Sequence, residues 1–129
     1  MSTSLPPLQV FLVEVIQVIR ENMIVALSEV SSAEVIAVAV GETEAVDWLS
    51  ANPNAWQLAV VDLFLKEGSG IGVVNACRSR SPTQRVVVLT NFATPAIRER
   101  CMAAGADHVF DKSTELDDFL AYCSWAHGT

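Results

Sequence analysis

Five short apolar runs recur along the chain, separated by segments whose apolar residues have helical spacing. The runs occupy residues 10–13, 35–40, 58–61 and 86–89, with a weaker one at 108–110. They are rich in valine and isoleucine and do not alternate with polar residues. This pattern is typical of strands that are covered on both faces of a parallel sheet, and it predicts five buried strands.

The intervening segments predict five helices, each with one apolar face. The apolar positions, helix by helix, are Ile16, Ile19, Met23, Leu27 and Val30; Val46 and Leu49; Ile71, Val74 and Cys77; Ile97, Cys101 and Ala104; and Leu116, Phe119, Leu120 and Cys123. Boundary signals agree with this assignment. Thr94-Pro95 predicts an N-cap followed by proline, Gly105 a helix stop, and Ser113-Thr114 a second N-cap.

The order βαβαβαβαβα predicts an α/β fold, a doubly wound five-stranded parallel sheet with right-handed crossovers. Five strands favour the flavodoxin-like (βα)5 arrangement with strand order 2-1-3-4-5. The length of 129 residues suits one domain, so we interpret residues 1–129 as a single unit.

Composition narrows the class of protein. Hydrophobic residues make up 51% of the chain, which favours a globular protein over a disordered one. A net charge of −7, with eight Lys and Arg residues that form no basic stripe, argues against direct nucleic-acid binding. Neither a signal-peptide pattern nor an apolar run of about 20 residues is present. We therefore expect a cytoplasmic protein without a membrane span. The three cysteines are expected to be reduced residues of the core.

Polar residues follow four of the five runs: Glu14, Asp62, Thr90 and Lys112. Open parallel sheets bind ligands beyond the carboxyl ends of their strands, so in the order 2-1-3-4-5 these side chains share one rim. A carboxylate can act as a nucleophile toward phosphorus, and carboxylate oxygens suit Mg²⁺. A lysine and a hydroxyl can hold phosphoryl oxygens. The rim therefore predicts a phosphoryl-acceptor site.

At these residues the chain resembles the response-regulator receiver family over essentially its whole length. The motifs that carry the resemblance are Val10-Phe11-Leu12-Val13-Glu14, Val60-Val61-Asp62-Leu63 with Gly70, Val86-Val87-Val88-Leu89-Thr90, and Gly105-Ala106-Asp107 leading to Lys112. The resemblance implies a bacterial two-component signalling module, not an enzyme, that is phosphorylated by a histidine kinase or a phosphotransfer protein. Any catalysis would be limited to its own aspartate.

The resemblance also implies roles for individual residues. Asp62 corresponds to the phosphoacceptor, Thr90 to the phosphate-sensing hydroxyl and Lys112 to the phosphate-pairing cation. Glu14, Asp62 and the main-chain carbonyl of Phe64 would hold Mg²⁺. The family commonly dimerises through its fourth helix, fifth strand and fifth helix, so a weak homodimer is expected. The charged residues of that face are Arg98, Arg100, Asp107, Asp111, Glu115 and Asp118.

Several positions depart from the family pattern. Val15 stands where a second acid is usual, which predicts weak Mg²⁺ binding. Val109 replaces the usual switch aromatic, and its neighbour Phe110 should face the other side of the sheet. Ser113 replaces a proline, so the peptide bond that precedes it should be trans. Phe64 stands two residues after Asp62, and Phe92 stands two residues after Thr90. Both rings should shield a phosphoryl group from water.

Two other functions remain open from the sequence. Loss of the second acid is compatible with a pseudo-receiver, a protein-interaction module that works without phosphorylation. A flavodoxin-like enzyme or flavin carrier is less favoured, because the loop Glu14-Val15-Ile16-Gln17 lacks the Ser/Thr-rich character of a flavin phosphate site. The sequence does not decide between a stand-alone regulator and part of a longer protein.

Overall fold

Five strands alternate with five helices in the computed structural model, which describes residues 7–128 and, at positions 30, 31 and 125–128, only the backbone. The strands are β1 (Gln9–Val13), β2 (Glu34–Ala39), β3 (Leu58–Asp62), β4 (Arg85–Thr90) and β5 (His108–Asp111). The helices are α1 (Gln17–Ser31), α2 (Glu42–Ala51), α3 (Gly70–Ala76), α4 (Pro95–Ala104) and α5 (Leu116–Gly128). The predicted alternation is confirmed.

The strands form one parallel sheet in the order β2-β1-β3-β4-β5, as predicted. The register sets Val13 beside Val61, and Thr90 beside Asp111. The carboxyl ends of four neighbouring strands therefore lie side by side. The strand order reverses at β1 and β3, and this switch point opens the crevice in which such sheets bind ligands.

Helices cover both faces of the sheet and enclose two apolar cores. Phe11 and Val13 belong to the core under α2, α3 and α4, whereas Val10 and Leu12 belong to the core under α1 and α5. Val109 and Phe110 fall into opposite cores as well, which confirms that they face different sides of the sheet. This two-sided burial explains why β1, β3 and β4 are apolar throughout instead of alternating. The prediction of a buried strand is wrong for β2, which lies at the edge of the sheet and is only partly buried, with Val38 44% exposed.

Two residues assigned to apolar helix faces are exposed instead. Ile16 precedes α1 and is 51% exposed, and Leu116 begins α5 and is 42% exposed. Both lie at the start of a helix, so helical periodicity extends to an end that is not packed against the core. Val30 lies outside the residues whose side chains are described. The three cysteines are free and buried, as expected.

The predicted helix boundaries are correct at α4 and wrong at α5. Thr94 caps α4 by accepting the Ile97 N–H at 3.2 Å, and Gly105 ends it with φ of 118°. Ser113-Thr114 does not cap α5, which begins at Leu116. The carboxylate of Asp111 instead accepts the Ser113 N–H at 2.7 Å and the Thr114 N–H at 3.2 Å. A short acidic side chain commonly captures amides two or three residues on, and here it produces a turn before the helix.

Two further observations complete the fold. The peptide bond between Lys112 and Ser113 is trans, like the others in the described part of the chain. No helix within residues 7–128 is long and apolar enough to cross a membrane.

Candidate functional site

Glu14, Asp62 and Lys112 meet at the carboxyl edge of the sheet. Glu14 directly follows β1 and Asp62 ends β3, and these two strands are neighbours. Lys112 follows β5 and reaches across β4. Its Nζ donates to Glu14 Oε1 at 2.5 Å and to Asp62 Oδ2 at 2.8 Å. The structure thus brings the two predicted carboxylates together, and it joins them through the predicted ammonium.

The three charged groups lie in a pocket with little access to water. Glu14 is 1% exposed, and the side chains of Asp62 and Lys112 are each 12% exposed. The second oxygen of each carboxylate faces a main-chain amide two residues on. Glu14 Oε2 accepts the Ile16 N–H at 3.1 Å, and Asp62 Oδ1 accepts the Phe64 N–H at a long 3.4 Å. Asp62 Oδ1 is therefore the less strongly bonded of its two oxygens.

Burial and mutual charge shift two pKa values in this pocket. Burial raises the pKa of Asp62 above its ordinary value, against the lowering effect of Lys112 and with some help from the charge of Glu14. Burial would by itself lower the pKa of Lys112. The hydrogen bonds and charges of Asp62 and Glu14 outweigh that effect and raise the pKa. Lys112 is therefore an ammonium at neutral pH. Its positive charge is shared between two buried carboxylates.

Thr90 lies at the buried end of β4, one strand away from Asp62. Its Oγ1 accepts the Phe92 N–H at 3.1 Å, and its main-chain carbonyl accepts the Lys112 N–H at 2.9 Å. The hydroxyl therefore takes part in the turn after β4. The carbonyl fixes the backbone of the residue whose side chain enters the acidic pocket, which makes Thr90 a neighbour of the site through Lys112.

Phe64 and Phe92 pack against each other edge to face, as the two loops beyond β3 and β4 approach. Their ring centroids are 5.2 Å apart with an interplanar angle of 72°. Phe64 is 61% exposed and Phe92 56% exposed. Each ring stands two residues beyond Asp62 or Thr90, so the pair adds an apolar edge to a charged pocket.

The oxygen donors of the pocket fit Mg²⁺ in kind but are few in number. The carboxylates of Glu14 and Asp62 converge on one point, and hard cations prefer such oxygens together with main-chain carbonyls. Val15 is half-buried and contributes no charged oxygen. Among the described residues, no cluster of three or more His, Cys, Asp or Glu side chains is arranged to hold a metal. The described side chains therefore offer two carboxylates to a cation, and both of them bond the Lys112 ammonium in this structure.

Arg20 supports the site and was not predicted from the sequence. Its Nη1 donates to the main-chain carbonyls of Glu14 and Val15, each at 2.9 Å, and so fixes the turn between β1 and α1. A signal was present: Arg20 lies four residues after Ile16 and three before Met23, on the face of α1 that the apolar spacing assigns to the core. A cation at such a position indicates a buried acceptor nearby.

The chain is similar in sequence to known proteins. Residues 10–124 match the family model of the response regulator receiver domain. The acid tolerance regulatory protein ActR of Rhizobium meliloti is 33% identical over 95 residues, which cover 74% of this chain and 49% of that protein. The chain thus spans about half the length of this relative.

Two solved structures show the same fold. A DNA-binding response regulator of the LuxR family from Staphylococcus aureus gives a TM-score of 0.80 at 14% identity, covering 94% of this chain and 99% of that one. A response regulator from Burkholderia pseudomallei, solved with a phosphorylated aspartic acid, calcium and citrate, gives 0.74 at 22% identity, covering 88% and 65%.

The match to the receiver model extends from the second residue of β1 to the end of the described side chains in α5, and it includes every residue of the acidic pocket. The match is continuous over residues 10–124, so no part of this range needs another family to account for it. The chain therefore belongs to the response regulator receiver domains, the signalling modules of two-component systems.

Proposed function

We propose that this receiver accepts a phosphoryl group on Asp62 from a histidine kinase or a phosphotransfer protein. The observation that carries the proposal is the pairing of Asp62 Oδ2 with Lys112 Nζ at 2.8 Å, which leaves Oδ1 weakly bonded. Such a donor depends on ATP, so the proposal places the chain in the cytoplasm. The chain would catalyse only the transfer of the phosphoryl group to its own Asp62, as is expected of a signalling module and not of an enzyme.

The transfer follows from the positions of the side chains. Asp62 Oδ1 forms a bond to phosphorus while the phosphorus–nitrogen bond of the donor breaks, and the imidazole nitrogen leaves with the bonding electrons. Lys112 can then donate to the phosphoryl oxygens, since its three N–H groups are not all used by the two carboxylates. The Thr90 hydroxyl, at the end of the adjacent strand, would donate to another phosphoryl oxygen once it turns from the Phe92 amide.

Mg²⁺ would be held by Glu14, Asp62 and the main-chain carbonyl of Phe64. Bound there, it would neutralise charge on the transferring phosphoryl group. The calcium and phosphorylated aspartic acid of the Burkholderia pseudomallei regulator support a divalent cation at this kind of site. Binding should be weak in this chain, because Val15 supplies no carboxylate and Lys112 already neutralises one of the two charges present.

The proposal is tested by incubation with acetyl phosphate and Mg²⁺, followed by intact-mass measurement. One added phosphoryl group increases the mass by about 80 Da. Asp62→Asn should abolish the adduct, whereas the control Asp117→Asn, which alters an exposed carboxylate on α5, should keep it. An adduct that persists in Asp62→Asn would assign the phosphoryl group to another residue.

A phosphorylation-independent interaction module is the second candidate. The ion pairs of Lys112 with both carboxylates favour it, because they stabilise the pocket without any ligand. This candidate predicts that no adduct forms at saturating acetyl phosphate and Mg²⁺, although the protein is folded. The intact-mass experiment therefore decides between the two candidates.

A weak homodimer through α4, β5 and α5 belongs to the first candidate. Part of the predicted charged face is used within the chain: Arg98 Nη2 bonds Glu115 at 2.5 Å, and Arg80 Nη2 bonds Asp107 at 2.9 Å. Arg100 and Asp118 are exposed on α4 and α5 and have charges of opposite sign. A twofold interface could pair them reciprocally, each from one copy with the other from its partner.

A further inference from the structure

Glutamate side chains join the first turn of α2 to the loop of residues 63–69, which follows β3. Glu42, the first residue of α2, accepts the Ser69 N–H through Oε1 at 2.8 Å. In the opposite direction, Glu67 Oε1 accepts the Thr43 N–H at 2.5 Å, and the Glu42 N–H donates to the Glu67 carbonyl at 2.9 Å. A glutamate of each segment thus accepts a main-chain N–H of the other.

Glycines leave room for the Glu42 side chain. A Cβ atom at Gly72 would overlap the carboxylate of Glu42, and one at Gly68 would overlap its Cβ and one carboxylate oxygen. Gly68 also has φ of +68°, which most side chains adopt at a cost. The carboxylate therefore lies in a space that only glycine at these positions provides.

The segment held by Glu42 is the one that carries Phe64. Phe64 and Ser69 are paired across the loop as an isolated antiparallel bridge, and the Gly70 N–H donates to the Leu63 carbonyl at 2.9 Å. The Phe64 N–H in turn approaches Asp62 Oδ1 at 3.4 Å. A short series of contacts therefore connects Glu42 to Ser69, Phe64 and Asp62.

We propose that Glu42 is a positioning residue: its carboxylate fixes the loop of residues 63–69, and through Ser69 it sets where Phe64 stands relative to Asp62. This inference rests on the proposed function, because the position of Phe64 matters chemically only if Asp62 is the phosphoacceptor. Glu42 itself touches no reacting atom. It acts on both the main-chain carbonyl and the ring of Phe64.

Glu44 provides a matched control. It also lies in the first turn of α2, and its Oε1 accepts the Val40 N–H at 2.8 Å. Glu44→Ala therefore removes one negative charge and one carboxylate–amide bond from the same helix end. Glu44 makes no hydrogen bond of its own to the loop of residues 63–69 and is linked to it only through Val40, whose carbonyl accepts the Lys66 N–H at 2.9 Å. Any effect of Glu42→Ala beyond that of Glu44→Ala is therefore due to loss of the bond between Glu42 and the loop of residues 63–69.

The first measurement is the rate of phosphorylation by acetyl phosphate as a function of Mg²⁺ concentration. Glu42→Ala should raise the half-saturating Mg²⁺ concentration about tenfold, as is usual when a group that orients a metal ligand is removed. The limiting rate at saturating Mg²⁺ should change much less. Glu42→Gln keeps an acceptor oxygen and should behave like the parent, as should Glu44→Ala.

The second measurement is hydrogen exchange at the Gly70 amide, which Glu42 does not touch and which needs no phosphorylation. Exchange should be faster in Glu42→Ala and unchanged in Glu44→Ala. Gly72→Ala should reproduce the effects of Glu42→Ala, because the added methyl group takes the space of the carboxylate while alanine favours the helix.

Equal behaviour of Glu42→Ala and Glu44→Ala in both measurements would overturn the inference, and so would a Glu42→Gln variant as impaired as Glu42→Ala. If the parent accepts no phosphoryl group, the proposed function fails, and the Gly70 exchange rates alone decide the positioning role. Faster exchange in Glu42→Ala and Gly72→Ala supports it, and unchanged exchange rejects it.

Discussion

The rings of Phe64 and Phe92 meet edge to face, with centroids 5.2 Å apart, beside the pocket that holds Asp62. Acyl phosphates are lost when water attacks phosphorus opposite the aspartyl oxygen, and neither ring can orient or activate such a water. We expect a long-lived phosphoryl group on this chain. The double variant Phe64→Asn and Phe92→Glu should lose it at least about tenfold faster, equivalent to ~1.4 kcal/mol of barrier.

Loss of radiolabelled phosphate or of the mass adduct measures this rate after the donor is removed. Met102→Asn is a suitable control, because it replaces another exposed apolar side chain, on α4 and outside the acidic pocket. The shielding hypothesis is wrong if the parent loses its phosphoryl group within seconds, or if the double variant is no faster than the control.

Val15→Asp should strengthen Mg²⁺ binding. The substitution adds a carboxylate next to Glu14, and the affinity of hard cations rises with the number of anionic oxygens. Titration followed by tryptophan fluorescence or calorimetry should show a lower dissociation constant than in the parent. Val18→Asp, at an exposed position in the first turn of α1, controls for the added charge. An identical titration curve for parent and Val15→Asp would mean that this side chain does not reach the cation.

Asp62→Asn should stabilise the fold at neutral pH in the absence of Mg²⁺ and phosphodonor. Burial raises the pKa of Asp62, so ionisation is less favourable in the folded chain than in the unfolded one. The stability linked to this group is fully present below the unfolded pKa and is lost as the pH rises through the folded pKa. Asn mimics the protonated form, and the variant avoids that loss.

Thermal unfolding between about pH 4 and pH 7 checks this sign, since carboxyl groups titrate in or near that range. The Tm of Asp62→Asn should exceed that of the parent at the upper end, and the difference should shrink as the pH falls. Asp117→Asn should show no such trend. A parent that is more stable than Asp62→Asn at neutral pH would show that Lys112 outweighs burial.

Charge reversal should weaken the proposed homodimer. Arg100→Glu or Asp118→Lys alone would set like charges against each other across a twofold interface, while the double variant would restore opposite signs. Sedimentation of the phosphorylated chain should show dimer in the parent and the double variant, less in either single variant, and less in all of them at high salt. A phosphorylated parent that remains monomeric at high concentration would contradict the proposal.

The sheet and its order were predictable because the central strands β1, β3 and β4 are buried on two faces and have unbroken apolar runs. The edge strand β2 has an equally apolar run, although it is only partly buried and its Val38 is 44% exposed. The same logic placed Glu14, Asp62, Thr90 and Lys112 at one edge. It could not show that Lys112 would join both acids, since strand order gives the neighbours at an edge and not the reach of a four-carbon side chain. The tertiary contacts of Glu42 could not be predicted from the strand order for the same reason.

The errors arose where local chemistry or the end of the core overrode a pattern. Ile16 and Leu116 fit the helical period but lie at the starts of helices and remain exposed. Asp111 captured the amides that Ser113-Thr114 was predicted to serve. Both kinds of error lie at helix ends, where a single hydrogen bond or the loss of a packing partner outweighs an average preference.

The double ion pair of Lys112 has a thermodynamic consequence. With two carboxylates and one ammonium, the pocket has a net charge of −1, so a divalent cation alone would leave it positive and a phosphoryl group alone would leave it strongly negative. Each ligand supplies the charge that the other lacks, in a place where water does little screening. If Asp62 is the phosphoacceptor, we therefore expect the cation to bind more tightly to the phosphorylated chain and to favour phosphorylation by the same factor, as linkage requires.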